Sequence, residues 1–506
     1  MSKRVRVRGD ARAGGDASQR PNGGLPTRLG QVPASTTKGL KSGPSAARKI
    51  AFDVLLRVET AGGYSDELLH EQLKQNISPV DAALATELTL GTLRRQRTLD
   101  WLIARLLPSS KEKSSRSPSP IERLDAEVLV SLRLGLYQLR FLERVPARAA
   151  VSESVELVKR ARKTSAAGLV NAVLRRAAEE AARGVAIDSL VPGDLEIADR
   201  LGILHSHPTW LVERWLGAFG TEQTVALLEA NNRAPRISAA ILDPARRNEI
   251  IQSLDRATLE VRPGRLLRDA ISISGGSPSH TETFERGEIV LLDEASQAVA
   301  SLLGVQRGDS VLDLCAAPGG KTALLATAAG LDGTVVACDL HARRLRTLGA
   351  LMKRIGATNV RGVVLDGTEP LPFAQKFRRI LVDAPCSGTG TLARHPEIRW
   401  RLKPGDFTEL HAKQVRLLRN ALPFLAPGGR LVYSTCSMEA EENEQVVRDA
   451  LGGFRGFRIC RAGEAMTPLL ADGVSADAIT GADGTLRTSP ATTQTDGFYA
   501  ALIECG

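Results

Sequence analysis

Two cysteines stand where reactivity accounts for their placement better than packing does. In "RRILVDAPCSGTG", Arg378 to Gly390, an apolar run ends in Asp383, Pro385 and Cys386, then dissolves into glycine and threonine. "GGRLVYSTCSMEAEENE", Gly428 to Glu444, repeats the arrangement with Cys436 between Thr435 and Ser437, ahead of an acidic helix start. An apolar run giving way to a polar segment reads as a strand passing into a loop. A nucleophilic cysteine must reach its thiolate form and be accessible, and strand-end loops beside helix starts meet both needs. Lone cysteines are more often small buried hydrophobes, a reading that suits Cys338, Cys460 and Cys505.

A third stretch, "LDLCAAPGGKT" from Leu312 to Thr322, puts two glycines at a strand-to-helix turn. There the backbone can approach a ligand closely and offer it amide donors. A phosphate-cradling loop requires a glycine where Cys315 stands, and a dinucleotide fingerprint requires more than Gly319 and Gly320. What remains is a glycine turn followed by Asp339 at the end of the next strand, placed to accept the two hydroxyls of a ribose. Asp366, at the end of the third strand, is placed to face an adenine amine. An adenosine-type cofactor fits this set, and a tight turn with capping acids is the structural alternative.

An adenosyl methyl donor and thiol nucleophiles meet in one reaction, methylation of a pyrimidine at carbon 5. A thiolate adding at carbon 6 makes carbon 5 enamine-like and able to attack a sulfonium methyl. An acid near N3 offsets the charge that develops, a role suited to Asp383. A base then removes the carbon 5 proton, and a second cysteine can assist release of the first. The residue chemistry leaves the roles of Cys386 and Cys436 interchangeable.

These residues need a scaffold. The runs "SVLDLCA", "TVVACDL", "VRGVVLD", "RRILVDA" and "GRLVYSTC" alternate with helical stretches, which implies a parallel, doubly wound sheet. Ligands of such sheets lie beyond the carboxyl ends of the strands. Upstream, "ARKIAFDVLLRVE", "RLDAEVLVSLRLGLYQLRFL" and "GLVNAVLRRAAEEAAR" repeat apolar residues at helical spacing, predicting an all-helical domain over 44–183. Its polar faces carry Arg94, Arg95, Arg97, Lys159, Arg160, Arg162 and Lys163, read first as solvated faces. The Ser/Lys/Pro segment Pro108 to Pro120 reads as a loop interrupting these helices. Residues 184–284 are mixed α/β, with a helix after Pro208 directing Trp210, Leu211 and Trp215 inward and a strand in "APRISAAILD". The α/β domain then occupies 285–506.

The chain has 506 residues, enough for several cores, and no apolar run long enough to span a bilayer, so a soluble cytoplasmic protein is expected. Its six cysteines form no C-x-x-C pair, which argues against zinc and leaves reduced thiols. Residues 1–43 hold nine Lys and Arg against two Asp, so +7 of the net +10 belongs to a Gly/Arg/Ser-rich tail without apolar periodicity. That tail reads as disordered, touching RNA or merely solubilising.

Together, "LDLCAAPGGKT", "DAPCSGTG" and "YSTCS" resemble the RNA cytosine-5 methyltransferases, and the N-terminal helices closing on "GLVNAVLRR" resemble the NusB-type RNA-binding domain. The pairing is similar to the bacterial 16S ribosomal RNA cytosine-5 methyltransferases over residues 44–506. The resemblance implies an all-α NusB-like domain followed by a Rossmann-like S-adenosylmethionine-dependent methyltransferase domain. It implies that Cys436 is the nucleophile and that Cys386 promotes product release. It also implies that Cys315, Ala316, Ala317, Pro318, Gly319, Gly320, Lys321, Asp339, Asp366 and Asp383 surround S-adenosyl-L-methionine, with Lys321 pairing with and orienting Asp383. Arg394 and His395 match a loop that touches RNA, a structural role being open for His395. No metal is expected. The partner expected is small-subunit ribosomal RNA, free or in an early particle, bound by a monomer away from any membrane. The alternatives are a transfer RNA or 23S target, or a non-catalytic RNA-binding assembly or antitermination factor.

Overall fold

The computed structural model describes residues 43–74, 77–108 and 120–506. Most of the basic tail and the interior of the Ser/Lys/Pro segment lie outside the described residues.

The N-terminal helices are α1 (Ala46–Ala61), α2 (Ser65–Leu73), α3 (Pro79–Arg94), α4 (Gln96–Leu106), α5 (Ala126–Phe141), α6 (Ala147–Arg160) and α7 (Ala167–Ala182). Local chemistry fixes their ends. Ser78 accepts the Asp81 amide at 3.1 Å, and Pro79 fills the first helical position, where no N–H is needed. Helix α5 is buried without a break from Val128 to Gln138, so the others pack around it. Gly91 lets α3 lie close to it, since a Cβ there would sit 2.0 Å from the Tyr137 hydroxyl. The one Arg within this buried stretch, Arg133, is held by Asp100 at 2.6 Å and Glu59 at 2.8 Å, which offsets the cost of removing its charge from water.

Two helical segments, Ile197–His205 and Thr209–Ala230, lead on, the second broken at Gly220 (φ 75°). A small antiparallel sheet follows, built from β1 (Ile237–Ile241), β2 (Glu260–Pro263), β3 (Ala270–Ser274) and β4 (Ile289–Leu291) in the order β2-β3-β1-β4.

The larger sheet contains β5 (Ser310–Asp313), β6 (Thr334–Asp339), β7 (Val360–Val364), β8 (Phe377–Asp383), β9 (Leu425–Thr435), β10 (Phe457–Cys460), β11 (Leu486–Arg487) and β12 (Tyr499–Cys505). Its order is β10-β12-β9-β8-β5-β6-β7, with β11 beside β12. Strands β5 to β9 run parallel, as expected. The expectation of a wholly parallel sheet is corrected at one edge, where β12 lies antiparallel to β9 and β10 antiparallel to β12. The chain leaves β5 toward β6 and returns to β8 on its other side, opening a crevice at the carboxyl ends of β5 and β8.

Several surface readings change on folding. Arg94 is buried, not solvated, and its Nε donates to the Ala393 carbonyl at 2.9 Å. Arg97 pairs with Asp199 at 2.8 Å, and Arg95 lies over the Phe141 ring. Lys159, Arg160 and Lys163 pair with acids on the bundle surface, and Arg162 is exposed, as a solvated face requires. Of the three cysteines read as buried hydrophobes only Cys338 is fully buried; Cys460 and Cys505 are half-buried on β10 and β12. Leu211 and Trp215 point inward, whereas Trp210 is half-buried with its ring against Phe407. No described helix is long and apolar enough to cross a membrane.

Candidate active site

Neighbouring strands bring Cys386 and Cys436 together. Asp383 of β8 is in register with Ser434 of β9, and the Ala384 amide continues the ladder to the Ser434 carbonyl at 2.8 Å. Both strands then turn, and the thiols of Cys386 and Cys436 meet with their Sγ atoms 3.2 Å apart. The Cys436 amide points at Cys386 Sγ at 3.3 Å, and the Gly390 amide holds the Cys436 carbonyl at 2.9 Å. The Cys386 thiol is held well above the ordinary thiol range, chiefly by its contact with Cys436 and then by burial. Either sulfur can be the donor across this contact.

Beneath the thiols lies an ion pair. Lys321, in the first turn of the helix Gly320–Ala329, reaches Asp383 Oδ2 at 2.8 Å, while Asp383 Oδ1 accepts the Ser434 hydroxyl at 2.8 Å. Burial lowers the Lys321 pKa, but the Asp383 carboxylate outweighs it and the net shift is upward. The Lys321 ammonium also lies over the Phe498 ring, 4.8 Å from its centre.

A cavity of about 320 Å³ opens beside this pair. Cys315, Ala316, Ala317, Pro318, Gly320, Lys321 and Asp383 all line it. Gly319 does not, but it makes the turn possible: its φ of 109° suits glycine, and a Cβ would meet Leu348 at 3.0 Å. Asp339 and Asp366 lie along the same carboxyl edge but outside the cavity lining. Asp339 is buried, with Oδ1 accepting the His341 amide and Oδ2 paired to Arg344 at 3.1 Å. Asp366 sits two residues beyond β7, exposed, with Oδ1 taken by the amide and hydroxyl of Thr368.

Two residues escape a reading of the sequence. Asp313, at the end of β5, also lines the cavity; Oδ2 accepts the Thr322 hydroxyl at 2.8 Å and Oδ1 has no partner among the described residues. Burial pushes its pKa up to about 7. Its signal was available, an acid closing an apolar strand within the stretch Leu312 to Thr322. Glu442 is the second. Fully buried, it accepts the Ser387 amide at 2.8 Å, the Gln414 side chain at 2.9 Å and the hydroxyls of both Ser387 and Ser437. One carboxylate thus braces the residues that follow each cysteine. It lay hidden in an acidic run that resembles a solvated helix start, whereas the helix itself begins only at Glu444.

The loop after Cys386 continues to Arg394, clamped by Asp293 at 2.7 Å and Asp496 at 2.8 Å, and to His395, whose Nδ1 lies 3.8 Å from Asp66. Arg399 then donates to the carbonyls of Ser206, Asn231 and Leu392, fastening this loop to the segment between the helical bundle and the small sheet.

Comparison with known proteins gives three matches along the chain. The family model described as 16S rRNA methyltransferase RsmB/F matches residues 300–504, the NusB family model residues 45–179, and an RsmF/B-like ferredoxin-like domain residues 207–280. The Bacillus subtilis probable ribosomal RNA small subunit methyltransferase B is 33% identical, over 80% of this chain and 87% of its own length. The Synechocystis protein of the same name is 34% identical, over 82% of this chain and 90% of its own. Among solved structures, that of PH0851 superposes with a TM-score of 0.74 at 26% identity, covering 92% of this chain and all of that one. A methyltransferase homolog from Pyrococcus horikoshii gives 0.52 at 25% identity, covering 62% of this chain and 100% of its own.

Proposed function

Because the chain belongs to the 16S rRNA methyltransferase RsmB/F family, we propose that it methylates carbon 5 of a cytidine in 16S ribosomal RNA through a covalent adduct between Cys436 and carbon 6. The observation that carries this reading is the pairing of two thiols 3.2 Å apart beside a half-buried Lys–Asp pair. S-adenosyl-L-methionine, when bound, supplies the methyl group from its sulfonium. The residues present fit such a cofactor: Asp313 Oδ1, without a partner among the described residues, offers a buried polar atom, and Gly320 and Asp313 line the same cavity. Cys315 to Lys321, Asp313 and Asp383 would hold it, with Asp339 and Asp366 reaching it from the next strand ends.

The protein's own groups divide the work by their proton affinities. A nucleophile must be a thiolate, and Cys386 binds its proton more tightly than a free thiol does. That favours Cys436 as the sulfur that attacks and Cys386 as the neighbour that stabilises the departing thiolate when the adduct collapses. Asp383, carrying the Lys321 ammonium on one oxygen, offsets charge at N3, and a proton passed along that pair would meet it there. The target cytidine must leave its stack to reach Cys436, so looped or single-stranded RNA is the expected substrate, with the NusB-like helices as a second RNA contact.

The test is to incubate the protein with tritiated cofactor and 16S ribosomal RNA, then digest the RNA to nucleosides. Label in 5-methylcytidine supports the reading. Label in another nucleoside, or none, overturns it.

A further inference from the structure

From a second cavity, of about 220 Å³ where the small sheet meets the catalytic domain, we infer that Arg236 and Arg265 form a binding site for a phosphodiester of the RNA strand that carries the target cytidine. This rests on the methyltransferase reading and adds to it the residues that grip the substrate's backbone.

The charges of this cavity do not cancel. Three acids line it, Asp293, Glu294 and Asp496, and each is already engaged. Asp293 accepts the amides of Ala295 and Asp496 and pairs with Arg394. Asp496 receives the Nε of the same arginine on both oxygens. Glu294 turns inward to the amides of Arg265, Leu266 and Leu267. Arg236, by contrast, is exposed on the wall and has no acidic partner among the described residues. The Arg265 guanidinium beside it bonds, among the described residues, the neutral Gln494 side chain and no acid. Arg233, on the same wall, is tied to Glu229 at 3.4 Å, an exposed pair of little strength. Burial and the nearby charges of Arg265 and Arg262 lower the Arg236 pKa, and the Glu294 carboxylate offsets them only in part. A phosphate supplies that anion, and guanidinium forks match its oxygens.

Two connections through the chain link this cavity to the reaction centre. Arg394, on its floor, lies on the loop that begins at Cys386, and Asp293 caps the helix Glu294–Leu302, whose Ser296 lies 3.4 Å from Lys321 Nζ. A phosphodiester held by these arginines would lie against the loop and the helix that carry Arg394 and Ser296. Contacts to phosphate position an RNA without reading its sequence.

Binding of a fluorescent single-stranded fragment of 16S ribosomal RNA to the full chain, measured across a series of KCl concentrations, tests the site. Arg236→Gln should weaken binding roughly tenfold, as for loss of one charge-assisted contact, and reduce the slope of log affinity on log salt by about 0.7. Adding Arg265→Gln should take the slope down by about 1.4, and Arg236→Lys should restore most of the single loss. Arg262→Gln removes a neighbouring charge that does not line the cavity and should leave the slope near that of the parent. Unchanged S-adenosylmethionine binding checks that each variant is folded. A parent-like slope in the double variant, or an equal fall in Arg262→Gln, overturns the site. Failure of the parent protein to methylate any RNA overturns the underlying reading instead, so the two failures are told apart.

Discussion

Lys321 Nζ lies 2.8 Å from Asp383 Oδ2, joining the helix after the glycine turn to the end of the strand that precedes Cys386. In the proposed mechanism the pair has two uses, a charge near N3 and a fixed position for Asp383, and both depend on the Lys321 cation. Lys321→Ala should lower kcat by about 10²–10⁴-fold, the usual range for a lost acid–base group. Lys321→Arg keeps the charge and should retain measurably more activity. Single-turnover methylation of RNA checks this, and equal activity in both variants would assign the lysine to packing alone.

The 3.2 Å separation of the thiols predicts a trapped state. With Cys386→Ala, the Cys436 adduct should form and fail to resolve. A protein–RNA band should persist on a denaturing gel while turnover falls. Free, fully methylated RNA released at the parent rate would remove Cys386 from the release step.

Glu442 predicts coupled losses of stability and activity. Glu442→Ala leaves the Ser387 amide, the Gln414 side chain and two serine hydroxyls without their acceptor. Breaking such a buried set costs about 3–5 kcal/mol, and thermal unfolding should show it. Glu442→Gln restores part of the hydrogen bonding and should recover part of both losses. Parent-like melting in Glu442→Ala would contradict the bracing role.

Asp313 predicts a pH effect of definite sign. Its pKa rises from 3.8 to about 7 on folding because burial penalises the charged form. The folded protein therefore holds a proton that the unfolded chain releases. The stabilisation is complete below about pH 4 and is lost as pH rises toward 7, at up to about 1.4 kcal/mol per pH unit. Asp496, also raised to about 7 by burial and by Asp293, acts in the same direction. Asp313→Asn cannot ionise, so its stability should fall less steeply between pH 4 and 7. Melting temperatures taken across that range check this, and an unchanged slope would contradict it.

The parallel strands and the glycine turn were legible because continuous apolar runs that end in acids fit little besides strands buried on both faces. Strands β10 to β12 were not, because β12 joins β9 through remote partners such as Tyr499 and Thr435, and β10 and β11 join the sheet only through β12. Arg94 read as solvated because helical spacing cannot reveal a partner such as Ala393, 299 positions away. Glu442 was lost among its acidic neighbours: what makes it a brace is the convergence of Ser387 and Ser437 from two loops. The order of roles between the thiols was also beyond residue types, since it is chiefly their mutual contact that raises one proton affinity.

The most direct measurement compares transfer of tritiated methyl to 16S ribosomal RNA by the parent and by Cys436→Ala, with cofactor binding confirmed in both. The mechanism predicts no label above background in the variant. Label transferred at a rate near that of the parent would show that another group attacks the base, and the assignment of Cys436 would fall.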